Sequence, residues 1–114
     1  VVAINKKNED DGMKAIEAAF AGHASMKHVW IVDSDIDITN PQSVEWAMAT
    51  RFQGNKGLVV KTGVKGSSLD PSSNPETRET VKVGFDCTIS LDRDKSDFTK
   101  PKPGMKVKLE DYLD

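Results

Sequence analysis

The sequence predicts an α/β fold, a small three-layer α/β/α domain with a mostly parallel sheet. Short apolar runs alternate along the chain with segments of helical period, in the order strand, helix, strand, helix, strand. The second apolar run ends in carboxylates, as strands of open α/β sheets do where they meet solvent. With 114 residues the chain has room for one domain. We therefore expect a β-α-β-α-β core followed by a C-terminal extended segment.

The first strand and the first helix are predicted within residues 1–22. Residues 1–4 form an apolar run. Asn8 is placed to cap a helix whose first turn holds three acidic residues, which the helix dipole favours at that end. The apolar positions at helical spacing are Met13, Ile16, Ala19 and Phe20. Gly22 then predicts a left-handed helix end.

The second strand is predicted over residues 27–32, and the second helix begins at Asn40 and Pro41. Asn accepts a hydrogen bond from a free amide of the first turn, and Pro at the first helical position loses none. The apolar stripe of this helix consists of Val44, Ala47, Met48 and Phe52. Trp46 and Ala49 lie off the stripe, so we expect a central or interface helix that is covered on two sides.

The remaining elements are less regular. Residues 57–61 predict a third short strand, and residues 62–80 form a long irregular loop with several Gly, Ser and Pro. Residues 81–89 alternate weakly and indicate a strand or an extended segment. We divide the chain into an α/β domain over residues 1–92 and an extended C-terminal tail over residues 93–114.

Composition argues against several classes of protein. The net charge of -2 and pI near 5.7 provide no basic face, so nucleic acid is not an expected partner. No apolar stretch approaches the roughly 20 residues of a transmembrane helix. Cys87 is the single cysteine, which fits a cytoplasmic location, and a packed thiol explains it better than a nucleophile does. Because the chain opens inside a strand without Met, we interpret it as a piece of a longer protein.

The acidic turn after the second strand allows more than one interpretation. Asp33, Asp35 and Asp37 could form a divalent-cation site, because alternate residues of an extended chain point the same way. Ile38 and Val44 stand where an EF-hand loop has Gly and Glu, which excludes that motif. A phosphoacceptor aspartate as in receiver domains and a structural role in bracing the turn both stay open. A stand-alone receiver-like or ligand-binding module is therefore the alternative function.

No group of residues assembles a catalytic centre from spacing alone. His23 and His28 lack a third ligand at metal spacing, and no nucleophile lies beside a base. We therefore predict no catalytic residue and no metal site within this chain. Residues 63–68 could cradle a phosphate but lack Walker spacing, so a flexible lid or interface loop explains them better.

Four sequence blocks together resemble the C-terminal domain of UbiD-type decarboxylases. They are residues 29–37, 44–51, 66–71 and 82–88. Their order and spacing are similar to that family over roughly residues 1–90, which makes the resemblance far more specific than any short motif above.

The resemblance implies a carboxy-lyase that reversibly decarboxylates aromatic or α,β-unsaturated acids, with ubiquinone biosynthesis as one setting. It implies prenylated FMN with a divalent metal (Mn or Mg) and potassium in the full-length protein. The family's catalytic residues and main cofactor ligands lie in the N-terminal flavin-binding part of the polypeptide. No catalytic residue therefore carries over to this chain, and no cofactor is expected on the fragment itself.

The resemblance also implies roles for the domain. The family's C-terminal domain mediates subunit association, so a homo-oligomer is expected, and it contributes walls to the cleft that takes the carboxylic acid substrate. The positions that match cleft-facing segments are Lys27, Gly66, Ser67, Ser68 and Leu69. We expect the long loop to move with the domain when the cleft closes.

Overall fold

A computed structural model describes residues 1–99 of the chain. It contains four strands, three helices and a short 3-10 turn. In chain order these elements are β1 (Val2–Ile4), α1 (Asp11–Gly22), β2 (His28–Asp33), α2 (Pro41–Arg51), α3 (Gly54–Gly57), β3 (Leu58–Lys65), β4 (Glu79–Cys87) and the 3-10 turn (Lys95–Phe98). The predicted α/β class is confirmed.

The four strands form one mixed sheet in the order β1-β2-β4-β3. β1 pairs with β2 and β2 with β4 in parallel, whereas β3 pairs with β4 in antiparallel. The expectation that β3 would be a third parallel strand is wrong in its direction. No helix separates β3 from β4, and parallel neighbours need a crossover connection that this loop does not supply. Residues 81–89, which were ambiguous in sequence, contribute most of a central strand.

Helix α1 starts later than predicted. Asp10 is its N-cap residue and makes no side-chain cap hydrogen bond. The Asp11 carboxylate instead accepts hydrogen bonds from the backbone amides of Lys7 and Asn8, both at 2.9 Å. Asn8 is therefore not the cap. Gly22 is the last helical residue, followed by an extended residue, so the predicted left-handed end is also wrong.

Helix α1 covers one face of the sheet. Ile16 and Phe20 pack against Val29 and Ile31 of β2 in one buried cluster. Gly84 of β4 lies directly beneath Ile16, because a Cβ built there would come within 2.5 Å of the Ile16 side chain. A glycine in the middle of a strand usually marks such a close approach.

Helix α2 covers the other face and begins as predicted. The Asn40 side chain accepts a hydrogen bond from the Gln42 amide at 3.0 Å. A second buried cluster is made by Val32, Ile36, Val44, Ala47 and Cys87. Trp46 is half-buried at the edge of this cluster and Ala49 is exposed. Two helical layers thus enclose the sheet, which confirms the three-layer arrangement.

Two predictions concern the ends of the described region. Within the predicted tail, residues 93–99 include the 3-10 turn instead of being wholly extended. The Phe98 carbonyl accepts a hydrogen bond from Arg51 at 2.8 Å, so this segment lies against α2. Residues 100–114 of the predicted tail lie outside the described residues. Within residues 1–99 no helix has the length and apolar character that crossing a bilayer requires.

Candidate functional site

The predicted cleft-facing residues lie where β2 and β4 begin. Lys27 immediately precedes β2, and residues 66–78 form the loop between β3 and β4. The Lys27 ammonium reaches across to this loop, where its Nζ lies 3.0 Å from Asp70 Oδ2 and 2.5 Å from Ser72 Oγ. The structure therefore joins two segments that are far apart in sequence. We call this contact the Lys27–Asp70 clamp.

The loop carries its own bracing around Asp70. Asp70 Oδ1 accepts hydrogen bonds from the Ser72 amide at 2.9 Å and the Ser72 hydroxyl at 2.7 Å. The buried Ser73 hydroxyl donates to the Asp70 carbonyl at 2.7 Å. The Ser72 hydroxyl and then the Lys27 ammonium lower the pKa of the Asp70 carboxyl to about 2. Asp70 is thus an anion at neutral pH and can hold Lys27.

The other half of the loop is closed by Arg78. Its backbone has a φ of 65°, a left-handed conformation that is uncommon outside glycine. Its carbonyl accepts from the Gly66 amide at 2.8 Å, and its guanidinium donates to the Ser68 carbonyl at 2.9 Å. Leu69 is 90% exposed at the resulting tip, and its amide donates to the Ser67 hydroxyl. An apolar side chain is therefore held out on a braced polar turn.

The structure brings only some of the predicted site residues together. Lys27 lines an open depression of about 450 Å³, whose other lining residues are Gly63, Ser72, Asn74, Glu79, Thr80 and Val81. Gly66, Ser67, Ser68 and Leu69 lie on the adjoining turn. The sequence did not single out Asp70 as a site residue, although Asp70 ends the loop segment 62–70 that the family resemblance matched to the cleft, and it missed Ser72. An acid within a polar loop predicts a cation partner, but not which one.

At the opposite end of the sheet, the carboxylates of the acidic turn are bound by Arg51 of the same chain. The Arg51 side chain is only 1% exposed and makes two parallel hydrogen bonds to Asp35, at 2.8 and 2.9 Å. It also donates to Asp33 Oδ2 at 3.1 Å, and that oxygen accepts from the Ile89 amide at 3.0 Å. These bonds tie α2, the end of β2 and the chain after β4 into one structure.

The charges and hydrogen bonds at this end of the sheet favour a structural role for the acidic turn. The hydrogen bond from Arg51 lowers the pKa of Asp35, whereas burial raises the pKa of Asp33. Asp37 accepts from the amide and the hydroxyl of Thr39. In the part of the chain that the structure describes, no three His, Cys, Asp or Glu residues are grouped to hold a metal. The structural interpretation of the acidic turn therefore fits best.

Cys87 has the environment of a packed thiol. It is fully buried in the cluster under α2. Burial, with smaller contributions from Asp86 and Asp33, raises the pKa of its thiol to about 12. A thiol with this pKa is protonated at neutral pH and is a poor nucleophile.

With the fold and both ends of the sheet described, comparison with known proteins defines the class. Residues 1–87 match the family model of the 3-octaprenyl-4-hydroxybenzoate carboxy-lyase C-terminal domain, UbiD_C. The match covers more than half of the chain. The chain therefore belongs to the UbiD family and corresponds to its C-terminal domain.

The relatives most informative for this chain are decarboxylases of the same family. The chain is 52% identical over 102 residues to anhydromevalonate phosphate decarboxylase of Methanocaldococcus jannaschii, covering 90% of this chain and 24% of that protein. It is 39% identical over 79 residues to gallate decarboxylase of Lactiplantibacillus plantarum, covering 67% of this chain and 16% of that one. The chain thus spans about a quarter or less of these relatives.

Solved structures give the same class. The UbiD-class enzyme HmfF from Pelotomaculum thermopropionicum, in complex with FMN, superimposes with a TM-score of 0.82 at 41% identity. The superposition covers 97% of this chain and 25% of HmfF. An evolved dimeric form of HmfF in complex with prFMN superimposes with a TM-score of 0.64 at 35% identity, over 97% of this chain and 22% of that one.

Proposed function

We propose that this chain is the assembly and cleft-wall domain of a prenylated-FMN-dependent decarboxylase. The observation that carries the proposal is the braced turn at the start of β2 and β4, which presents Leu69 beside the Lys27–Asp70 clamp. The family relationship supports the remainder: a flavin-binding part of the same polypeptide, a homo-oligomer and a carboxylic acid substrate. A cytoplasmic location remains part of the same proposal.

The chemistry assigned to this chain is orientation and exclusion of water. Loss of carbon dioxide from an sp2 carbon leaves a poorly stabilised carbanion, so prenylated FMN, when bound to the full-length protein, supplies the electron-accepting group. The described residues contain no donor set for its metal, and we assign the divalent metal, the potassium and the flavin contacts to the preceding part of the polypeptide. Leu69 would exclude water from one wall of the cleft. Lys27 would hold the turn in place through Asp70.

A phosphorylated α,β-unsaturated acid is the substrate class we favour. The 52% identity to anhydromevalonate phosphate decarboxylase over 90% of the chain supports this class. Aromatic acids are the second candidate, because gallate decarboxylase is 39% identical over a shorter span. A panel of both acid types, assayed on the full-length enzyme, separates the two classes by their kcat/KM ratio.

The test of the cleft-wall role uses two leucines in the full-length enzyme. Leu69→Ala removes the exposed tip, and Leu91→Ala is the matched control, because Leu91 is 46% exposed and follows β4 at the opposite end of the sheet. We expect kcat/KM to fall about tenfold or more for Leu69→Ala and to stay within twofold for Leu91→Ala, on the usual cost of a lost apolar contact.

Equal kcat/KM values for the two variants would show that Leu69 does not line the cleft. The isolated 114-residue chain, mixed with prenylated FMN and substrate, provides a second arm. We expect no carbon dioxide release above the rate of cofactor and substrate alone. Measurable release would show that the chain carries catalytic groups of its own.

A receiver-like module built on the acidic turn finds less support. Asp33 and Asp35 are both bound by Arg51, and Asp33 also accepts from the Ile89 amide. A phosphoacceptor needs a carboxylate oxygen open to attack, whereas both oxygens of Asp35 and Oδ2 of Asp33 are engaged within the domain. The family relationship favours the same conclusion.

A further inference from the structure

Strand β4 contains a buried lysine. Lys82 is 6% exposed, and its Nζ donates to the Ala24 carbonyl at 2.6 Å. The ammonium also lies 5.8 Å from the centroid of the Phe20 ring. Among residues 1–99, no carboxylate forms an ion pair with it. Burial of an ammonium is unfavourable unless its donors are paired, and the carbonyl of Ala24 supplies that pairing here.

The hydrogen bond from Lys82 reaches beyond the end of helix α1. That helix ends at Gly22, and its last turn has no basic residue. A cation near the C-terminal end of a helix is stabilised by the helix dipole, so Lys82 supplies from β4 the charge that α1 lacks. Its acceptor Ala24, however, belongs to residues 23–27, which connect α1 to β2. We call this segment the α1–β2 linker.

Strand β4 holds the α1–β2 linker near both of its ends. Lys82 binds it at Ala24, and the Val83 amide donates to the Lys27 carbonyl at 3.0 Å. Lys27 is the last residue of the linker, and its side chain forms the clamp with Asp70. The bond from Lys82 therefore fixes the segment from which the clamp lysine extends.

We propose that Lys82 is a positioning residue of the cleft wall. By holding the α1–β2 linker at Ala24, it places Lys27 where its ammonium binds Asp70 and keeps the Leu69 turn in place. This proposal rests on the proposed cleft-wall role of that turn. A lysine that only completed helix α1 would have no effect on the clamp, so the state of the clamp is the quantity to measure.

The chain offers a matched control lysine. Lys61 of β3 lies directly opposite Lys82 in the β3–β4 pairing. Its Nζ lies 2.6 Å from Glu17 Oε2, so it too contacts α1, but through that helix's side chain instead of the linker. Lys61→Met therefore removes a neighbouring positive charge and a contact with α1 while leaving the bond to Ala24 in place.

The first experiment measures the pKa of Asp70 in this chain by NMR of its carboxyl carbon. Lys82→Met should raise that pKa by about half or more of the rise that Lys27→Met causes, because a freed linker no longer holds Lys27 against the carboxylate. Lys61→Met should leave it unchanged. In a Lys27→Met background, Lys82→Met should cause no further rise, since the effect passes through Lys27.

Two further variants keep this experiment decisive. Lys82→Arg retains the charge and the donors, so its Asp70 pKa should stay closer to the parental value than that of Lys82→Met. Far-UV circular dichroism checks folding, and Lys82→Gln replaces Lys82→Met in the same comparison if the methionine variant does not fold. An Asp70 pKa that stays parental in the folded variant, or that rises equally without Lys27, overturns the proposal.

Kinetics of the full-length enzyme separate this proposal from the one on which it rests. We expect kcat/KM to fall about tenfold or more in Lys82→Met, because small displacements of positioning groups have large effects on rate, and to stay within about twofold in Lys61→Met. A raised Asp70 pKa with parental kcat/KM would overturn the cleft-wall role. An impaired Leu69→Ala enzyme with an unchanged Asp70 pKa in Lys82→Met would overturn the role of Lys82 alone.

Discussion

At the scale of single residues, Asp70 has a close counterpart in the same chain. Asp94 accepts from the Ser96 amide at 2.9 Å and the Ser96 hydroxyl at 2.8 Å, just as Asp70 accepts from Ser72. Hydrogen bonds lower the pKa of both carboxyls. Of these two aspartates, Asp70 has a lysine within ion-pair distance, and Asp94 has none among the described residues. The two aspartates therefore separate the effect of the local turn from that of the clamp.

This pair predicts how the clamp responds to acid. The folded pKa of Asp70 lies below its ordinary value of 3.8, so the clamp contributes fully above pH 4 and is lost as the pH falls towards about 2. Lys27→Met should raise the Asp70 pKa. Ser72→Ala should raise it by more than Lys27→Met does, because the Ser72 hydroxyl makes the larger contribution to the lowered pKa. Carboxyl carbon shifts followed by NMR measure both.

Asp94 serves as the internal reference in those titrations. Its pKa should not change in either variant, because neither Lys27 nor Ser72 contacts it. An Asp70 pKa that stays at the parental value in Lys27→Met would show that the lysine does not stabilise the anion in solution.

The role of a single residue can be predicted from the sequence when its partner lies close by along the chain. The Asn40 cap was predictable because its partner, the Gln42 amide, is two residues away. Lys27 could be named only through a family resemblance, since its partner Asp70 lies 43 residues later in the chain. Arg51 could not be paired from the sequence, because its partners Asp33 and Asp35 lie 18 and 16 residues earlier in the chain.

At the scale of elements, β4 shows what periodicity alone does not reveal. A central strand was hard to recognise because Gly84 weakens the strand pattern and Lys82 interrupts its apolar side chains. In the structure Lys82 is buried and its ammonium donates to the Ala24 carbonyl. Gly84 makes room for Ile16 of α1. Both unfavourable residues are explained by contacts with other elements, which a single-strand pattern does not contain.

The contact between α1 and β4 gives a prediction from two glycines. Gly84→Ala should destabilise the domain by about 1–3 kcal/mol, because its Cβ would overlap the Ile16 side chain. Gly22→Ala should be neutral or stabilising by up to about 1 kcal/mol, since nothing lies within 4 Å of a Cβ there and Ala is the better helix former. Urea unfolding of each variant against the parent chain measures both changes.

The two glycine variants act as controls for each other. Because alanine restricts the unfolded chain at either position, chain entropy alone would stabilise both variants. A loss of stability in Gly22→Ala equal to that in Gly84→Ala would therefore mean that the Ile16 contact is not what makes Gly84→Ala unfavourable. Gly84→Ala combined with Ile16→Val should recover part of the lost stability, because the smaller side chain gives the new methyl group more room.

At the scale of the whole molecule, the order of the family-like sequence blocks predicted the fold better than the pattern of any single helix or strand did. The four blocks quoted above lie on β2, α2, the loop between β3 and β4, and β4. Their order implied the assembled domain even where the direction of β3 was wrong. The antiparallel β3 was not visible in the order of elements, because strand-helix-strand alternation is the same for either direction. A helix-free connection between residues 65 and 79 was the one available signal for a hairpin.

The two buried clusters lie on opposite faces of one sheet and share strand β2. Val29 and Ile31 contribute to the α1 side, and Val32 contributes to the α2 side. Neighbouring residues of a strand point to opposite faces, so loss of β2 pairing disrupts both clusters at once. We therefore expect the domain to unfold as a single cooperative unit.

Tryptophan positions make this cooperativity measurable. Both tryptophans of the chain, Trp30 and Trp46, pack against the α2-side cluster. Ile16 is fully buried in the α1-side cluster, so Ile16→Val removes one methylene on the face that the tryptophans do not report. The expected cost is about 1 kcal/mol. In a single cooperative unit, the urea midpoint should fall equally by tryptophan fluorescence and by far-UV circular dichroism. A fluorescence midpoint that stays in place while the dichroism midpoint falls would divide the domain into two independently unfolding layers.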